Sequence, residues 1–288
     1  MTSQRPLILF TNDDGIDSPG LWASAGAFID IADILIVAPI EQQSGTGRSL
    51  PISSRGNIVE RELMVGGQKM VGYGVGGTPA QAVQHGVYEL AGRWPALVVS
   101  GINYGENVGN GVTISGTVGA ALEAACLGIP SVAVSLQVAK DLHLSYSREV
   151  NFSAAAYFTR FFGEWLLNSN ERPDDVEVLK IEVPQHATPD TEWKVTRVSK
   201  KRLFWPVRPA RRDFAGDGYV GYAANLDPST AEPDSDIYTV LHQGLVSVSP
   251  VSFDLTARTD RAGLREKLNG GNALVTGAVD RANGKHRR

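Results

Sequence analysis

Side chains with oxygen donors follow three short apolar segments in the first half of this 288-residue sequence. In chain order they are Asp13 and Asp14, then Ser44, then Asn103. An all-oxygen donor set, with no His or Cys nearby, suits a hard divalent cation such as Mg²⁺ or Mn²⁺, whereas zinc is disfavoured. On the dipeptide alone, Asp13-Asp14 before Gly15 is better interpreted as a turn or a helix cap. Ser44 and Asn103 are expected to lie near the same two aspartates, and this convergence favours a metal site over a simple turn or cap.

A second group of residues has the character of an anion site. Ser115, Gly116 and Thr117 open an alanine-rich segment with a helical pattern. Backbone N–H groups at a helix start bind phosphate, and glycine allows the phosphate to approach closely. The alternative is that these residues only cap and pack the helix. The segment is not a P-loop, because no Gly-Lys-Ser/Thr follows, and no dinucleotide fingerprint joins a strand to a helix.

The elements that must position these groups are short strands alternating with helices. Continuous apolar segments predict strands that are covered on both faces, and the intervening patterns predict helices. The predicted strands are 7–11, 34–39, 96–100 and 131–136, and the predicted helices are 19–31, 79–91 and 116–127. This order predicts an α/β fold with a mostly parallel sheet. Loops at the carboxyl ends of parallel strands share one edge of the sheet, so the oxygen donors should converge there.

Composition narrows the class of protein further. The net charge is −4 and the sequence pI is about 5.8, so no strong basic field favours a nucleic-acid polymer as the partner. The single cysteine, Cys126, excludes an intramolecular disulfide and is predicted to lie in the core. The five histidines show no metal-binding spacing and are interpreted as structural or surface residues. With no signal-peptide pattern and no apolar stretch of ~18 residues, a cytoplasmic protein without a membrane partner is expected.

The chain is expected to divide into three parts. Residues 1–188 form the core, 189–258 form a β-rich extension, and 259–288 form a short helix with a flexible basic tail. The extension is interpreted as an oligomerisation arm. Its aromatic residues Trp205, Tyr219 and Tyr222 either lie at a subunit interface or pack on their own domain.

Several motifs together resemble the SurE family of survival proteins, which have 5′-nucleotidase activity. The resemblance runs from about residue 5 to residue 257. The matching segments are 8–16, 38–39 with 43–45, 77–80, 99–105, 115–121, 234–236 and 244–250. The adjacent aspartates and the Ser-Gly-Thr-Val-Gly-Ala motif are the most specific of these. There are departures: Ile40-Glu41 and Gln81-Ala82 replace the pairs common in the family, and Ile114 replaces an aromatic residue.

The resemblance implies a fold, a reaction and a set of site residues. The fold would be a Rossmann-like three-layer αβα arrangement. One Mg²⁺ or Mn²⁺ per subunit would be held by Asp13, Asp14, Ser44 and Asn103. The substrate phosphate would be bound by Ser44, Gly45, Asn103, Ser115, Gly116 and Thr117. The substrates would be nucleoside 5′-monophosphates, with 3′-monophosphates expected as well, and the subunits would assemble as homodimers or homotetramers by exchanging C-terminal segments.

The expected reaction is metal-assisted phosphomonoester hydrolysis in which Asp13 and Asp14 are catalytic. Either a water molecule or one of the aspartates is the nucleophile, and the sequence does not separate these routes. A rival hypothesis is a nucleotide-binding or phosphate-binding regulator without turnover, which the departures near Ile40 and Gln81 motivate. A haloacid-dehalogenase-type phosphatase would need Asp-x-Asp after the first strand, and a serine hydrolase would need Gly-x-Ser-x-Gly. Neither motif occurs.

Overall fold

A nine-stranded sheet forms the centre of the protein. The structure, a computed structural model, describes residues 4–269 apart from 144, 148, 170 and 212. The strand order in the sheet is β3-β4-β2-β1-β5-β6-β7-β11-β8. These strands are β1 (Leu7–Thr11), β2 (Asp33–Pro39), β3 (Ile58–Val65), β4 (Gln68–Val75), β5 (Leu97–Tyr104), β6 (Ser131–Leu136), β7 (Val178–Val183), β8 (Trp193–Val195) and β11 (Val246–Val251). The pairs from β4 to β7 are all parallel. The predicted α/β class and the mostly parallel sheet are therefore confirmed.

The continuous apolar segments form the middle of this sheet for the expected reason. Every residue of β1, β6 and β7 is buried, because helices cover both faces. The helices are α1 (Pro19–Gly26), α2 (Pro79–His85), α3 (Gly116–Cys126) and α4 (Ser153–Asn168). Strand β1 pairs with β2 on one side and with β5, which comes later in the chain, on the other side. This arrangement opens a crevice at the carboxyl ends of β1 and β5, where parallel α/β sheets bind ligands.

The sheet ends in strands that the apolar segments did not predict. At one edge, β3 pairs antiparallel with β4 in a hairpin that the sequence analysis missed. At the other edge, β11 pairs antiparallel with β7, and β8 pairs parallel with β11. Two strands of the expected extension 189–258 thus lie in the central sheet. The remaining two, β9 (Phe204–Val207) and β10 (Gly221–Ala224), form a separate antiparallel hairpin.

Two predictions about helices need correction. Helix α1 ends at Gly26 rather than Ile31, and α2 gives way after His85 to a π-helical turn, Gly86–Leu90. Cys126, predicted to be in the core, is exposed. The buried face of α3 includes Ala120, Ala121 and Ala124, and Cys126 lies two positions beyond Ala124, which turns its side chain about 200° away.

The chain divides into two compact units, residues 1–253 and residues 254–288. In the second unit, residues 261–269 are helical, where a short helix is expected over 260–268. The expected tail, from 270 onward, lies outside the described residues. Within the described part of the chain, no helix combines the length and the apolar character needed to cross a membrane.

Candidate active site

The two adjacent aspartates leave the centre of the sheet through a tight turn. Asn12 Oδ1 accepts a hydrogen bond from the Gly15 N–H at 3.0 Å, and Asn12 Nδ2 donates to the Gly15 carbonyl at 3.1 Å. Gly15 has φ +103°, a conformation that glycine adopts without strain. Asp13 and Asp14 are only 4% and 2% exposed. Both carboxyl groups therefore lie inside the protein at the carboxyl end of β1.

The carboxyl group of Asp13 meets the start of α3. The Thr117 hydroxyl donates to Asp13 Oδ1 at 2.5 Å, and the backbone N–H groups of Thr117 and Gly116 also bond the carboxylate. Ser115 is the N-cap, and its Oγ accepts from the Val118 N–H at 3.2 Å. Burial raises the pKa of Asp13, and these hydrogen bonds act against the increase. The predicted aspartate and the predicted helix start thus form one site.

Asp14 is held separately, on the other side of the turn. Its Oδ2 accepts from the Tyr104 N–H at 3.2 Å, and its Oδ1 accepts from Gln42 Nε2 at 3.0 Å. Burial, and after it the charge of Asp13, raises the pKa of Asp14 well above its ordinary value of 3.8. No ion pair with a Lys, Arg or His reaches either aspartate among the residues that the structure describes. The pair thus consists of two adjacent buried carboxyl groups that no cationic side chain of the described residues neutralises.

Most of the other predicted site residues line one cavity of about 710 Å³ together with Asp13. They are Ser44, Gly45, Asn103 and Ser115. Asp14, Gly116 and Thr117 lie behind this wall, and the last two touch Asp13. The volume is within the range of small-molecule sites. In the described part of the chain, no three His, Cys, Asp or Glu side chains cluster as metal ligands. A cation here would therefore need the Ser44 and Asn103 oxygens in addition to two carboxylates.

The strand that carries Asn103 is irregular where the side chain enters the cavity. The register between β5 and β6 shifts between Ser100 and Asn103, and such a bulge re-aims the side chains that follow it. The side-chain amide nitrogen of Asn103 donates to the Gly105 carbonyl at 2.7 Å. This hydrogen bond does not involve the side-chain oxygen of Asn103.

Asn107 is fixed by a buried ionic cluster. Its N–H donates to Glu182 at 2.9 Å, and its carbonyl accepts from Lys180 Nζ at 3.1 Å. Lys180 also contacts Glu182 and Asp236, each at 3.1 Å, and Lys180 and Glu182 are fully buried. The Asn107 amide lies 3.5 Å from Thr117 Oγ1, which bonds Asp13. A chain of polar contacts thus joins this cluster to the aspartate.

Sequence reasoning missed the aromatic wall of the cavity. His143, Phe204 and Tyr222 line it, with Phe204 and Tyr222 contributed by the β9–β10 hairpin. The ring centroids of Phe204 and Tyr222 are 5.4 Å apart, and His143 stacks on Tyr222 at 6.3 Å. His143 Nδ1 lies 3.1 Å from the Tyr222 hydroxyl, and burial lowers the pKa of His143. No local pattern pairs residues 79 positions apart, so only the folded chain reveals this group.

The fold and the site define a class of protein: a Rossmann-like α/β protein with a buried acidic pair and a helix N-terminus at the switch point of its sheet. The family model for survival protein SurE matches residues 8–204. The chain therefore belongs to the SurE family.

Named relatives and a solved structure resemble the chain over most of its length. The 5′-nucleotidase SurE of Methanosarcina acetivorans is 38% identical over 269 residues, covering 91% of this chain and 98% of that protein. The 5′-nucleotidase SurE of Thermococcus gammatolerans is 38% identical over 272 residues, covering 94% and 98%. The crystal structure of the SurE protein from Aquifex aeolicus superimposes with a TM-score of 0.68 at 32% identity, covering 87% and 95%.

Proposed function

We propose that this chain is a divalent-metal-dependent 5′-nucleotidase that hydrolyses nucleoside 5′-monophosphates, and also 3′-monophosphates, to nucleoside and phosphate. One observation carries the proposal: Asp13, one of two adjacent buried aspartates, meets the N-terminus of α3 in a cavity that also has an aromatic wall. That combination suits a ligand with a phosphate at one end and a flat apolar ring at the other. The similarity to proteins named 5′-nucleotidase SurE supports the same reaction.

The residues present fit a divalent cation. Asp13 and Asp14 are buried side by side with raised pKa values and no ion-pair partner among the described residues. Isolated buried carboxylates are costly unless a cation neutralises them. We propose that Asp13, Asp14, Ser44 and Asn103 hold one Mg²⁺ or Mn²⁺ per subunit. When bound, such a cation polarises phosphoryl oxygens and lowers the pKa of water.

The protein groups around Asp13 would bind and orient the phosphoryl group. The N–H groups of Gly116 and Thr117 donate to the Asp13 carboxylate, so in this proposal they hold that carboxylate in place beside the phosphoryl group. The Thr117 hydroxyl and two backbone N–H groups occupy lone pairs of Asp13. These contacts favour a role for Asp13 in positioning water over a role as the nucleophile. Rapid-quench trapping tests this assignment, because a covalent phosphoaspartate would contradict it.

The aromatic wall explains why a nucleoside, rather than any phosphate ester, is the proposed substrate. Phe204, Tyr222 and His143 form a connected set of rings on the hairpin side of the cavity. Stacking on aromatic side chains contributes about 1–3 kcal/mol for a nucleobase. We therefore expect Tyr222→Ala to raise KM for AMP more than KM for p-nitrophenyl phosphate, which has no base. Equal effects on both substrates would argue against a base site at this wall.

The decisive experiment is phosphate release from nucleoside monophosphates by chelator-stripped protein, with Mg²⁺ or Mn²⁺ added back. Turnover that requires metal, and that Asp13→Asn abolishes while the fold persists, supports the proposal. Glu177→Gln is a matched control, because Glu177 is a half-buried acid whose Oε2 is shielded from solvent, and it does not line the cavity. Full metal-dependent turnover by Asp13→Asn would refute the assignment.

The rival proposal, a nucleotide-binding regulator, makes a different prediction in the same experiment. It requires saturable AMP binding by calorimetry without phosphate release. The departures at Ile40-Glu41 motivate it, and these residues line a second cavity of about 480 Å³ together with Gly77 and Thr78. The metal-reconstituted assay separates the two proposals directly.

Assembly and location complete the proposal. We propose a homodimer or homotetramer in the cytoplasm, with the β9–β10 hairpin and the connecting residues 208–220 as the interface element. Tyr219 is 78% exposed in this segment, and Trp205 on β9 is 47% exposed. A truncation near Pro189 would remove β8 and β11 from the central sheet. The better test is therefore light scattering of a variant in which a short linker replaces 208–220. An unchanged oligomer would remove the arm from the proposal.

A further inference from the structure

Glu106 is an acidic side chain in the cavity wall that the proposed reaction leaves without a role. Its Oε2 is buried, and it has no hydrogen-bond partner among residues 4–269 as described. Burial raises the pKa of Glu106 to about 7. A hydrogen bond from its own backbone N–H lowers this pKa, and the charge of Glu182 raises it further. Buried polar atoms in native proteins nearly always have a partner. Glu106 lines a ligand cavity, so a bound ligand is the natural source of a hydrogen bond to its carboxyl group.

Within the part of the chain that the structure describes, no Lys, Arg or His forms an ion pair with Glu106. Lys180, the nearby buried ammonium, directs its hydrogen bonds to Asn107, Glu182 and Asp236, each at 3.1 Å. Arg202, which lines the cavity, donates through Nε to the Phe204 carbonyl at 2.8 Å. The Glu106 carboxyl group is therefore available to a neutral hydrogen-bond donor rather than being held in an ion pair.

The position of Glu106 indicates which part of a nucleotide it meets. Glu106 directly precedes Asn107 in the chain. The side-chain amide nitrogen of Asn107 lies 3.5 Å from Thr117 Oγ1, at the phosphate end of the site. Glu106 also lines the same cavity as Tyr222 and Phe204 of the aromatic wall. In a nucleoside monophosphate, the sugar lies between the phosphate and the base. Sugar hydroxyls are neutral donors, and acidic side chains bind the ribose 2′-OH in other nucleotide sites.

We propose that Glu106 is a specificity-determining residue, whose carboxyl group hydrogen-bonds the ribose 2′,3′-diol and makes the site select ribonucleotides over 2′-deoxyribonucleotides. This inference rests on the proposed function, because it requires a nucleotide with its phosphate at Asp13. It assigns a task to a cavity-lining carboxyl group whose Oε2 has no hydrogen-bond partner within the described part of the chain.

The test compares kcat/KM for AMP, 2′-deoxy-AMP and p-nitrophenyl phosphate in the metal-reconstituted full-length protein. A hydrogen bond to a charged group corresponds to roughly tenfold to a hundredfold in kcat/KM, so the wild-type protein should prefer AMP over 2′-deoxy-AMP by that factor. Glu106→Ala should bring this ratio close to one, because the loss falls mainly on AMP. Glu106→Gln keeps one acceptor and should give an intermediate ratio.

Glu177→Ala is the matched control, since Glu177 also has a buried Oε2 without a described partner but lies outside the cavity. It should keep the wild-type ratio. An unchanged ratio in Glu106→Ala would overturn the inference, as would an equal loss on all three substrates. If the wild-type protein releases no phosphate, the proposed function fails by itself. Calorimetric titration with AMP and 2′-deoxy-AMP then decides the role of Glu106, and equal affinities would refute it.

Discussion

A single methyl group at Gly116 should displace the central aspartate. A Cβ atom built on Gly116 lies 2.7 Å from Asp13 Cβ and 2.8 Å from Asp13 Oδ2. Ordinary contact begins at 3.4 Å, so Gly116→Ala requires a shift of about 0.7 Å. The Asp13 main chain cannot easily yield, because its carbonyl accepts from the Gln43 N–H at 2.7 Å. The carboxyl group must therefore move relative to the start of α3.

The expected result is a large loss of turnover with a small loss of stability. A misplacement approaching 1 Å in an active site costs on the order of 10²-fold in rate, so kcat/KM for AMP should fall by about that factor. Overpacking costs about 1–3 kcal/mol, which the better helix propensity of alanine offsets by up to about 1 kcal/mol. Metal-reconstituted phosphate release and urea unfolding measure the two effects.

Gly111→Ala is the control, because a methyl group there, at the mouth of the same cavity, meets no atom within 4 Å. It should keep kcat/KM within about threefold of wild type. If Gly116→Ala were as active as Gly111→Ala, the close approach of Asp13 to the helix start would have no part in catalysis.

Three further predictions test the network around the site. Thr117→Val removes the hydroxyl that bonds Asp13 and should lower kcat/KM at least tenfold, with recovery in Thr117→Ser; equal rates in both variants would contradict this role. Lys180→Met leaves Glu182 and Asp236 as buried charges and should lower the free energy of unfolding by about 3–5 kcal/mol in urea, whereas a change below about 1 kcal/mol would refute the cluster's structural role. Mn²⁺ should raise Tm, because it binds only the folded state. A Tm that does not change when Mn²⁺ is added would argue against the proposed metal site. Because the pKa values of Asp13 and Asp14 are raised in the folded state, the metal-free folded protein binds more protons than the unfolded chain above pH 3.8. The free energy of unfolding of the metal-free protein should therefore fall as pH rises. The increase in Tm that Mn²⁺ produces should become larger over the same range.

Local patterns were sufficient for the centre of the sheet and insufficient for its edges. Strand β1 was predicted within its observed bounds, because a strand covered on both faces must be apolar throughout. The β3–β4 hairpin was missed, since a partly exposed edge pair mixes polar with apolar residues and has no such signal. Local patterns also did not predict the early end of α1. The exposure of Cys126 follows from helical periodicity once Ala120, Ala121 and Ala124 mark the buried face of α3.

The sequence by itself determined the acidic pair, the helix start at Ser115 and their meeting at one edge of a parallel sheet, because those features follow from residue type and strand order. Only the tertiary structure decided that Phe204 and Tyr222 would close the cavity and that Lys180 would fix Asn107. It alone left Glu106 without a described partner for Oε2. The physical reason is distance along the chain: the Lys180–Asn107 and His143–Tyr222 contacts join residues 73 and 79 positions apart, and no local pattern records which segments will meet.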